Sequence, residues 1–494
     1  MAGGSRQAGA IELVGLRGSA ISLGFANGLD AALHFVVPIA LVRLLSVDEF
    51  GDYRLLWLAA MTAMLFAPLG MPRSLQYFLP RHNDQDRHAF IDQTFLFMLM
   101  TASLAALFFL PSSPFLPVAM KGLVDSNGYL VSVFVLFWVT ASLIEVLPSA
   151  LEKYSHQAVL VSVFSLARTS GILTTAWYYR EVEPMVYFLV GFAVFKYSAL
   201  QVFRYIQTGT IAIRVSRGLF KQQLRHALPF GINGMLNKGR TVTEQWIVAI
   251  MFTSGQFAVF SVAASIYPLL DLLKKSVNFV TVPKMSRLQS QGKTEKILEL
   301  NNKGNIAVSF LLYPVLAFLL VNAGSVVELL YTGNYTGAAN IMRLYACSMF
   351  IMAIEISSIL IVYQQGPYVM RTSILMIVAT VVVGIIGANI AGLFGVAFGG
   401  FAGVLVGAIR NYARVIHITG TPFRKVQNWK TIGVIMGAAG IGSFAAKLVV
   451  NPVMRDSLGL LQLPTILVLT FMTYVGLLFL FGHGRPLVLL LRGR

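Results

Sequence analysis

Apolar runs of about twenty residues recur from one end of the chain to the other, separated by short polar connections. An α-helix rises about 1.5 Å per residue and the hydrocarbon core of a bilayer is about 30 Å thick, so a run of that length is what a spanning helix requires. Segmenting on this rule predicts fourteen transmembrane helices, over residues 19–45, 53–79, 90–110, 129–151, 157–179, 185–207, 227–253, 256–283, 303–323, 337–363, 367–391, 393–417, 429–450 and 463–482. The expected fold class is therefore an all-α polytopic membrane protein with little mass outside the bilayer.

Composition agrees. Of 494 residues 56% are hydrophobic and only 12% charged, about half the roughly 25% charged residues of a soluble chain. Too few charges remain to build a water-exposed surface, which excludes a soluble enzyme and a disordered chain. The formal charge of +18 could point to nucleic acid, but the cations form neither one block nor one soluble domain, so no nucleic-acid partner is expected. The single cysteine, Cys347, excludes an intramolecular disulfide framework and a thiolate metal cluster. Arg6 and Arg17 ahead of an apolar stretch resemble a signal peptide, yet 19–45 is too long for one and holds Asp30 and Arg43, so it reads as a retained span. Gly437, Gly440 and Gly442 lack the Lys-Ser/Thr and preceding strand of a nucleotide loop. Gly395, Gly399, Gly403 and Gly407 recur every fourth residue and predict a small-residue face for close helix contact.

Orientation follows from the positive-inside rule. With the N-terminus inside, the inner connections collect Arg81, Arg87, Lys153, Arg214, Lys284, Arg287, Lys293, Arg424 and Lys425 among many others, while the outer ones hold only Arg43, Arg54, Lys121, Arg180, Lys447 and Arg455. Both termini are expected to be cytoplasmic.

A faint internal repeat accompanies this. Asn27-Gly28 in the first segment matches Asn233-Gly234 in the seventh at an offset of 206, and Leu79-Pro80-Arg81 matches Val282-Pro283-Lys284 at 203. Six spans separate the copies, so the halves share one orientation, as in a parallel repeat with a substrate site at the interface of the halves. The expected organisation is a six-helix bundle at 1–207, a basic amphipathic cytoplasmic linker at 208–226 carrying Arg214, Arg217, Lys221 and Arg225, a second six-helix bundle at 227–417, and two additional helices at 418–494.

Charges inside the spans carry the candidate chemistry, because each costs about 2.5–3.5 kcal/mol at the membrane centre unless it is paired or wet. The cations are Arg73, Arg168, Lys196, Lys238, Arg240, Lys274, Lys275 and Arg343, and the acids Asp30, Glu145, Glu244, Asp271 and Glu355. Cations outnumber acids, which predicts a wet, basic interior. Asp271, Lys274, Lys275 and Asn278 form one polar stripe; Asn233, Asn237, Arg240 and Glu244, edged by Lys238, form another. Asn27, Asp30 and His34 line a third, and Arg73, Gln76 and Tyr77 a fourth. Lys274 lies ten residues from Lys284, hence roughly 15 Å deep. Such cations suit an anionic head such as a phosphate or pyrophosphate, and Arg73, Lys238, Arg240, Lys274, Lys275, Asn233 and Asn237 are the candidate binding residues. Asp30, His34, Glu244, Asp271 and Glu355 are candidates for coupling to H+ or Na+; no other cofactor and no catalytic residue is expected. Glu145 and Arg168 are expected to form a buried structural pair, and Arg343 to reach the outer surface.

At this point the sequence resembles a family. Leu41-Val42-Arg43-Leu44-Leu45, Glu49-Phe50-Gly51-Asp52-Tyr53, Leu69-Gly70 and Tyr77-Phe78-Leu79-Pro80 look like the start of the Wzx-type polysaccharide flippases of the multidrug/oligosaccharidyl-lipid/polysaccharide (MOP) exporter superfamily. Leu228-Pro229-Phe230-Gly231, Tyr267-Pro268, Val282-Pro283-Lys284-Met285-Ser286, Leu330-Tyr331-Thr332-Gly333-Asn334-Tyr335 and Gly392-Leu393-Phe394-Gly395-Val396-Ala397 agree in the second half. The resemblance covers roughly 19–417. It implies two six-helix bundles around a central cavity, alternating access, and movement of a polyprenyl-pyrophosphate-linked oligosaccharide across a bacterial inner membrane, with Lys238, Arg240, Lys274 and Lys275 in the cationic lumen. It also implies membrane lipids and a polysaccharide polymerase or export machinery as partners of a monomer. Many relatives carry an Asp after the opening Pro-Phe-Gly; here Lys238, Arg240 and Glu244 occupy that stretch. A multidrug cation antiporter of the same superfamily, which calls for a cavity of opposite sign, and a membrane-embedded polymerase or glycosyltransferase, which calls for a long outer loop or a carboxylate-rich face, are the competing readings.

Overall fold

The computed structural model describes residues 4–454 and 461–482. The side chains of Arg6, Arg17 and Asn237, and residues Arg455, Arg485, Arg492 and Arg494, lie outside the described set.

Nineteen α-helices and no strand occur among the described residues. In order they are α1 (Gly4–Leu44), α2 (Val47–Phe66), α3 (Met71–Phe78), α4 (Asp84–Phe108), α5 (Val118–Asn127), α6 (Leu130–Ala141), α7 (Leu147–Ala150), α8 (Tyr154–Tyr179), α9 (Val182–Thr208) and α10 (Arg217–Met251). There follow α11 (Ser254–Ala264), α12 (Tyr267–Ser290), α13 (Thr294–Tyr331), α14 (Ala338–Ala353), α15 (Ser357–Val362), α16 (Gly366–Thr419), α17 (Phe423–Val426), α18 (Trp429–Met454) and α19 (Gln462–Leu480). Among the described residues nine helices are long and apolar enough to cross a membrane, ten if the bent pair α2–α3 is one span. Each expected span lies on largely helical backbone, but several are broken, and the broken ones carry the interest.

Local chemistry explains the starts and breaks. Ser46 caps α2 by accepting from the Glu49 amide, and Asp48 and Glu49 favour that positive helix end. Asn83 caps α4 in the same way, through the Asp86 amide. Between α2 and α3 the chain bends by 46°. Gly70 permits the bend: its φ is +80° and a Cβ there would lie 2.5 Å from the Ala227 carbonyl oxygen, so both backbone conformation and close approach require glycine. In the 54-residue α16, Ala391 leaves helical geometry and Gly392 takes φ +58°. The chain reverses there, and the two arms are the expected spans 367–391 and 393–417. Their contact is glycine on glycine: a Cβ on Gly399 would meet Gly384 at 2.5 Å, and Gly395 lies directly on Gly387. The predicted small-residue face is thus an internal hairpin seam, where backbones approach because no side chain intervenes.

The chain divides into two compact units, residues 1–242 with 249–258, and residues 243–248 with 259–494. The division falls inside α10, whereas the sequence reading sets it at 208–226. Residues 210–216 are non-helical, and the helix that begins at Arg217 runs on through Pro229 without a separate linker helix. In the first unit α1 packs on α8, and α6 packs on α4 and α9. Trp57 meets Trp138 edge-on at 5.0 Å and Phe134 at 6.0 Å. In the second unit α13 is the central helix: Leu312, Tyr313 and Leu316 share a core with Met349 of α14, Ile435 and Ala439 of α18, and Tyr474 and Leu478 of α19. The two C-terminal helices are therefore built into this unit, and the Tyr474 hydroxyl donates to the Phe310 carbonyl at 3.0 Å.

Candidate functional site

In the first unit the polar stripe of α1 meets α8. The Asp30 carboxylate accepts from Ser165 at 2.5 Å and from the Arg168 guanidinium at 2.9 Å, while Arg168 also lies 3.1 Å from His34 Nδ1. His34 is one helical turn from Asp30, and the two side chains approach to 3.6 Å. The Trp57 ring lies 5.8 Å from the guanidinium carbon. Asp30 and His34, paired by their spacing, thus belong to a four-residue cluster with a fixed cation.

That arrangement corrects one expectation. Glu145 and Arg168 do not pair: Arg168 is taken by Asp30, because α8 packs on α1, and Glu145 instead forms an ion pair with Lys196 of α9. Lys196 is 2% exposed and its ammonium sits 4.6 Å from the Trp138 ring centroid, a cation–π contact. A third pair joins Asp92 of α4 to Arg204 of α9 at 2.9 Å, both almost fully buried. Beside it Gln223 bonds Gln93, Ser74 and Thr94. The sequence reading missed this layer; its signal is the run Asp92-Gln93-Thr94, three consecutive polar residues inside an apolar span.

The other candidates of this unit lie apart from these pairs. Arg73 is exposed on α3, on the same face as Gln76 and Tyr77; Asn233 and Lys238 are exposed on α10, and Arg240 is buried. Tyr77 stacks on His226 at 4.4 Å and carries the Arg81 guanidinium 3.7 Å from its ring centroid.

In the second unit the stripe on α12 divides. Lys274 is mostly buried and ion-paired to Glu355 at 2.5 Å, Asp271 and Lys275 are exposed, and Asn278 is half-buried. Glu355 occupies the break between α14 and α15. Asn301 and Asn305 of α13 donate to its carbonyl at 2.9 and 3.0 Å, and its own amide donates back to Asn305 at 3.0 Å. The carboxylate accepts from the Ser357 amide at 2.8 Å, one of the open donors in the first turn of α15. These two asparagines satisfy backbone groups that an interrupted helix leaves open. Their i, i+4 spacing ahead of an apolar run was the available signal. Glu244 is buried and accepts from the Tyr345 hydroxyl at 2.8 Å; Gly400 lies directly beneath it, where any side chain would displace the carboxylate. Arg343 bonds the Leu320 carbonyl at 3.1 Å and Asn340 at 2.6 Å. Among the described residues no group of three His, Cys, Asp or Glu side chains could hold a metal ion.

This architecture is a known one. The structure is similar to the lipid II flippase MurJ in an inward closed conformation, with TM-score 0.69 at 15% identity, covering 93% of this chain and 98% of that one. It is also similar to an inward-facing MATE family multidrug resistance transporter of the MOP superfamily, with TM-score 0.58 at 14% identity over 79% of this chain and 94% of that one. The fold is that of the MOP superfamily, in an all-helical multi-pass membrane protein. A family described as "Polysaccharide biosynthesis protein" matches residues 40–340; the chain belongs to that family. Among curated proteins it is 25% identical over 345 residues to the EPS I polysaccharide export inner membrane protein EpsE of Ralstonia solanacearum, covering 66% of this chain and 76% of the relative. The corresponding protein of Ralstonia nicotianae is 24% identical over 355 residues, 69% of this chain and 79% of the relative. These matches agree with the Wzx-type, MOP-superfamily resemblance read from the residues.

Proposed function

We propose that the protein is an inner-membrane flippase that carries polyprenyl-pyrophosphate-linked oligosaccharide repeat units across the membrane for exopolysaccharide or O-antigen synthesis, by alternating access and with both termini cytoplasmic. Family membership and the polysaccharide-export relatives support the pathway, and the likeness to transporter structures supports the fold on which it would act. The observation that carries the substrate class is the basic stripe of α12, where Lys275 is exposed beside the Glu355-paired Lys274. A pyrophosphate offers several charged acceptor oxygens, and an ammonium on a flexible stem can follow it through a conformational change.

In this reading Lys275 grips the pyrophosphate, the sugars travel in water and the lipid tail stays in the bilayer. Asp30, His34, Glu244, Asp271 and Glu355 are the carboxylates and imidazole available for coupling to H+ or Na+. Asp30 and Glu355 already hold cations, so their protonation would release Arg168 and Lys274 respectively.

The test is charge reversal in cells. Lys275→Glu should sharply lower repeat-unit export at an unchanged level of membrane protein, whereas exchanging the buried pair, Lys274→Glu with Glu355→Lys, should keep the protein folded. Normal export in Lys275→Glu would overturn the substrate assignment, and efflux of organic cations independent of polysaccharide synthesis would replace it with a multidrug antiporter.

A further inference from the structure

Residues 209–216 join α9 to α10 as an extended strap, and a buried ion pair pins it. Asp92 Oδ1 accepts from Arg204 at 2.9 Å while its Oδ2 accepts from the Arg214 amide at 3.1 Å; Arg204 in turn donates to the Ile211 carbonyl at 3.2 Å and to Gln201. The Arg204 guanidinium stacks on Phe95, 4.5 Å from its centroid. Each partner thus holds one backbone group of the strap, yet the strap turns apolar side chains outward: Ile211 is 75% exposed, and Ile213 and Val215 are exposed too. A chain that invests a buried pair in holding apolar side chains outward is building a surface.

That surface is grooved. A hollow of about 680 Å³ runs between α4, α9 and the strap, walled by Phe95, Leu99, Tyr197, Val202, Ile211 and Ile213. A second hollow of about 340 Å³ lies along α9, apolar in its lining but for Ser198 and sharing Val202 with the first. Both fall in the first unit. Basic side chains stand at the same end of α9: Arg214, exposed beside His88 at 3.4 Å; Arg217 at the start of α10; and Lys153, which reaches Gln207 at 2.8 Å. The acid in contact with the strap is Asp92, which is engaged by Arg204.

We infer that these two hollows and the basic strap form a binding site for an anionic glycerophospholipid, one acyl chain in each hollow astride Val202 and the phosphate against Arg214 and Arg217. The first hollow falls within the about 300–1,000 Å³ typical of small-molecule sites, and in a membrane its apolar walls meet acyl chains rather than water. Two hollows divided by one residue fit a two-chain lipid and not the single tail of a polyprenyl carrier. The exposed cations supply the preference for negative charge that juxtamembrane basic segments show for anionic lipid. The site uses no residue of α12 and does not depend on what the protein transports.

Purified full-length protein, delipidated in neutral detergent, is titrated with dioleoyl phosphatidylglycerol and dioleoyl phosphatidylcholine, which share chains and differ in head charge. Retained lipid is counted by native mass spectrometry and Tm is measured in parallel. Phosphatidylglycerol should be retained at one copy and raise Tm by several degrees more than phosphatidylcholine. Val202→Trp, which fills both hollows from an exposed position, should lose that copy; Arg214→Gln with Arg217→Gln should keep a lipid but bind the two kinds equally. Equal retention of both lipids by the unaltered protein, undiminished phosphatidylglycerol in Val202→Trp, or displacement of phosphatidylglycerol by equimolar undecaprenyl phosphate would each overturn the inference.

Discussion

The two units treat charge within their helices differently. In the first, Asp30–Arg168, Glu145–Lys196 and Asp92–Arg204 join cation to acid across neighbouring helices, and Trp57, Trp138 and Phe95 lie against the three cations. In the second, Lys274 pairs with Glu355, and Lys275 stands exposed beside it. A charge paired across helices has its desolvation offset by its partner, and removing either strands the other. A cation left exposed beside such a pair keeps its charge for something else. Counting intramembrane charges therefore overstates the functional set, and pairing decides which members remain.

Mutations ranked by cost would break or sharpen this contrast. Asp92→Ala leaves Arg204 buried and releases the strap, and should cost about 3–5 kcal/mol, read as a loss of folded protein and a sharp fall in Tm. Asp92→Leu with Arg204→Met, an apolar pair, should recover most of that stability but not the strap. In the second unit, Gly395→Leu drives a side chain into the backbone at Gly387, and overpacking of that kind costs about 1–3 kcal/mol. Gly234→Ala, with nothing within 4 Å of the added carbon, should stay within about 0.5 kcal/mol as a control. Asn305→Ala unsatisfies the Glu355 amide, worth about 1–3 kcal/mol, and should lower export by loosening the Lys274–Glu355 pair; unchanged Tm and export would mean that the break between α14 and α15 holds without the clamp. Smallest in stability is Lys275→Gln, within about 0.5 kcal/mol for an exposed position, and here export rather than Tm should fall.

Most of the architecture was legible because bilayer thickness imposes a length on every span. The reversal at Gly392 falls where the two expected segments 367–391 and 393–417 are divided, since a glycine in left-handed geometry is the cheapest way to turn a helix back on itself. What the length rule misses is where a span is interrupted: the bend at Gly70 and the break at Glu355 leave apolar content unchanged and so leave no trace in hydropathy. The start of α10 at Arg217, continuous with the span behind it, was hidden for a related reason, because a basic amphipathic turn and a spanning helix can share one axis. Of the candidate site, the stripes were readable from i, i+3, i+4 spacing, which holds within one helix. The partners were not: Arg168 meets Asp30 across 138 positions and Lys196 meets Glu145 across 51, and only helix packing decides which acid a given cation finds. Asp92 and Arg204 lie 112 positions apart, so nothing in the spacing along either helix joins them.

The central claim is that this fold moves an anionic lipid-linked glycan by means of an exposed cation on α12, Lys275. Its most direct test is translocation of a polyprenyl-pyrophosphate-linked oligosaccharide in proteoliposomes, scored by access of the glycan to an added lectin, for the unaltered protein, for Lys275→Glu and for Lys196→Met with Glu145→Leu. The unaltered protein and the apolar replacement of the Lys196–Glu145 pair should both translocate, and Lys275→Glu should be slower by at least about tenfold, the equivalent of one lost charge-assisted contact. Translocation by Lys275→Glu at the unaltered rate, or none above empty vesicles by the unaltered protein, would contradict it.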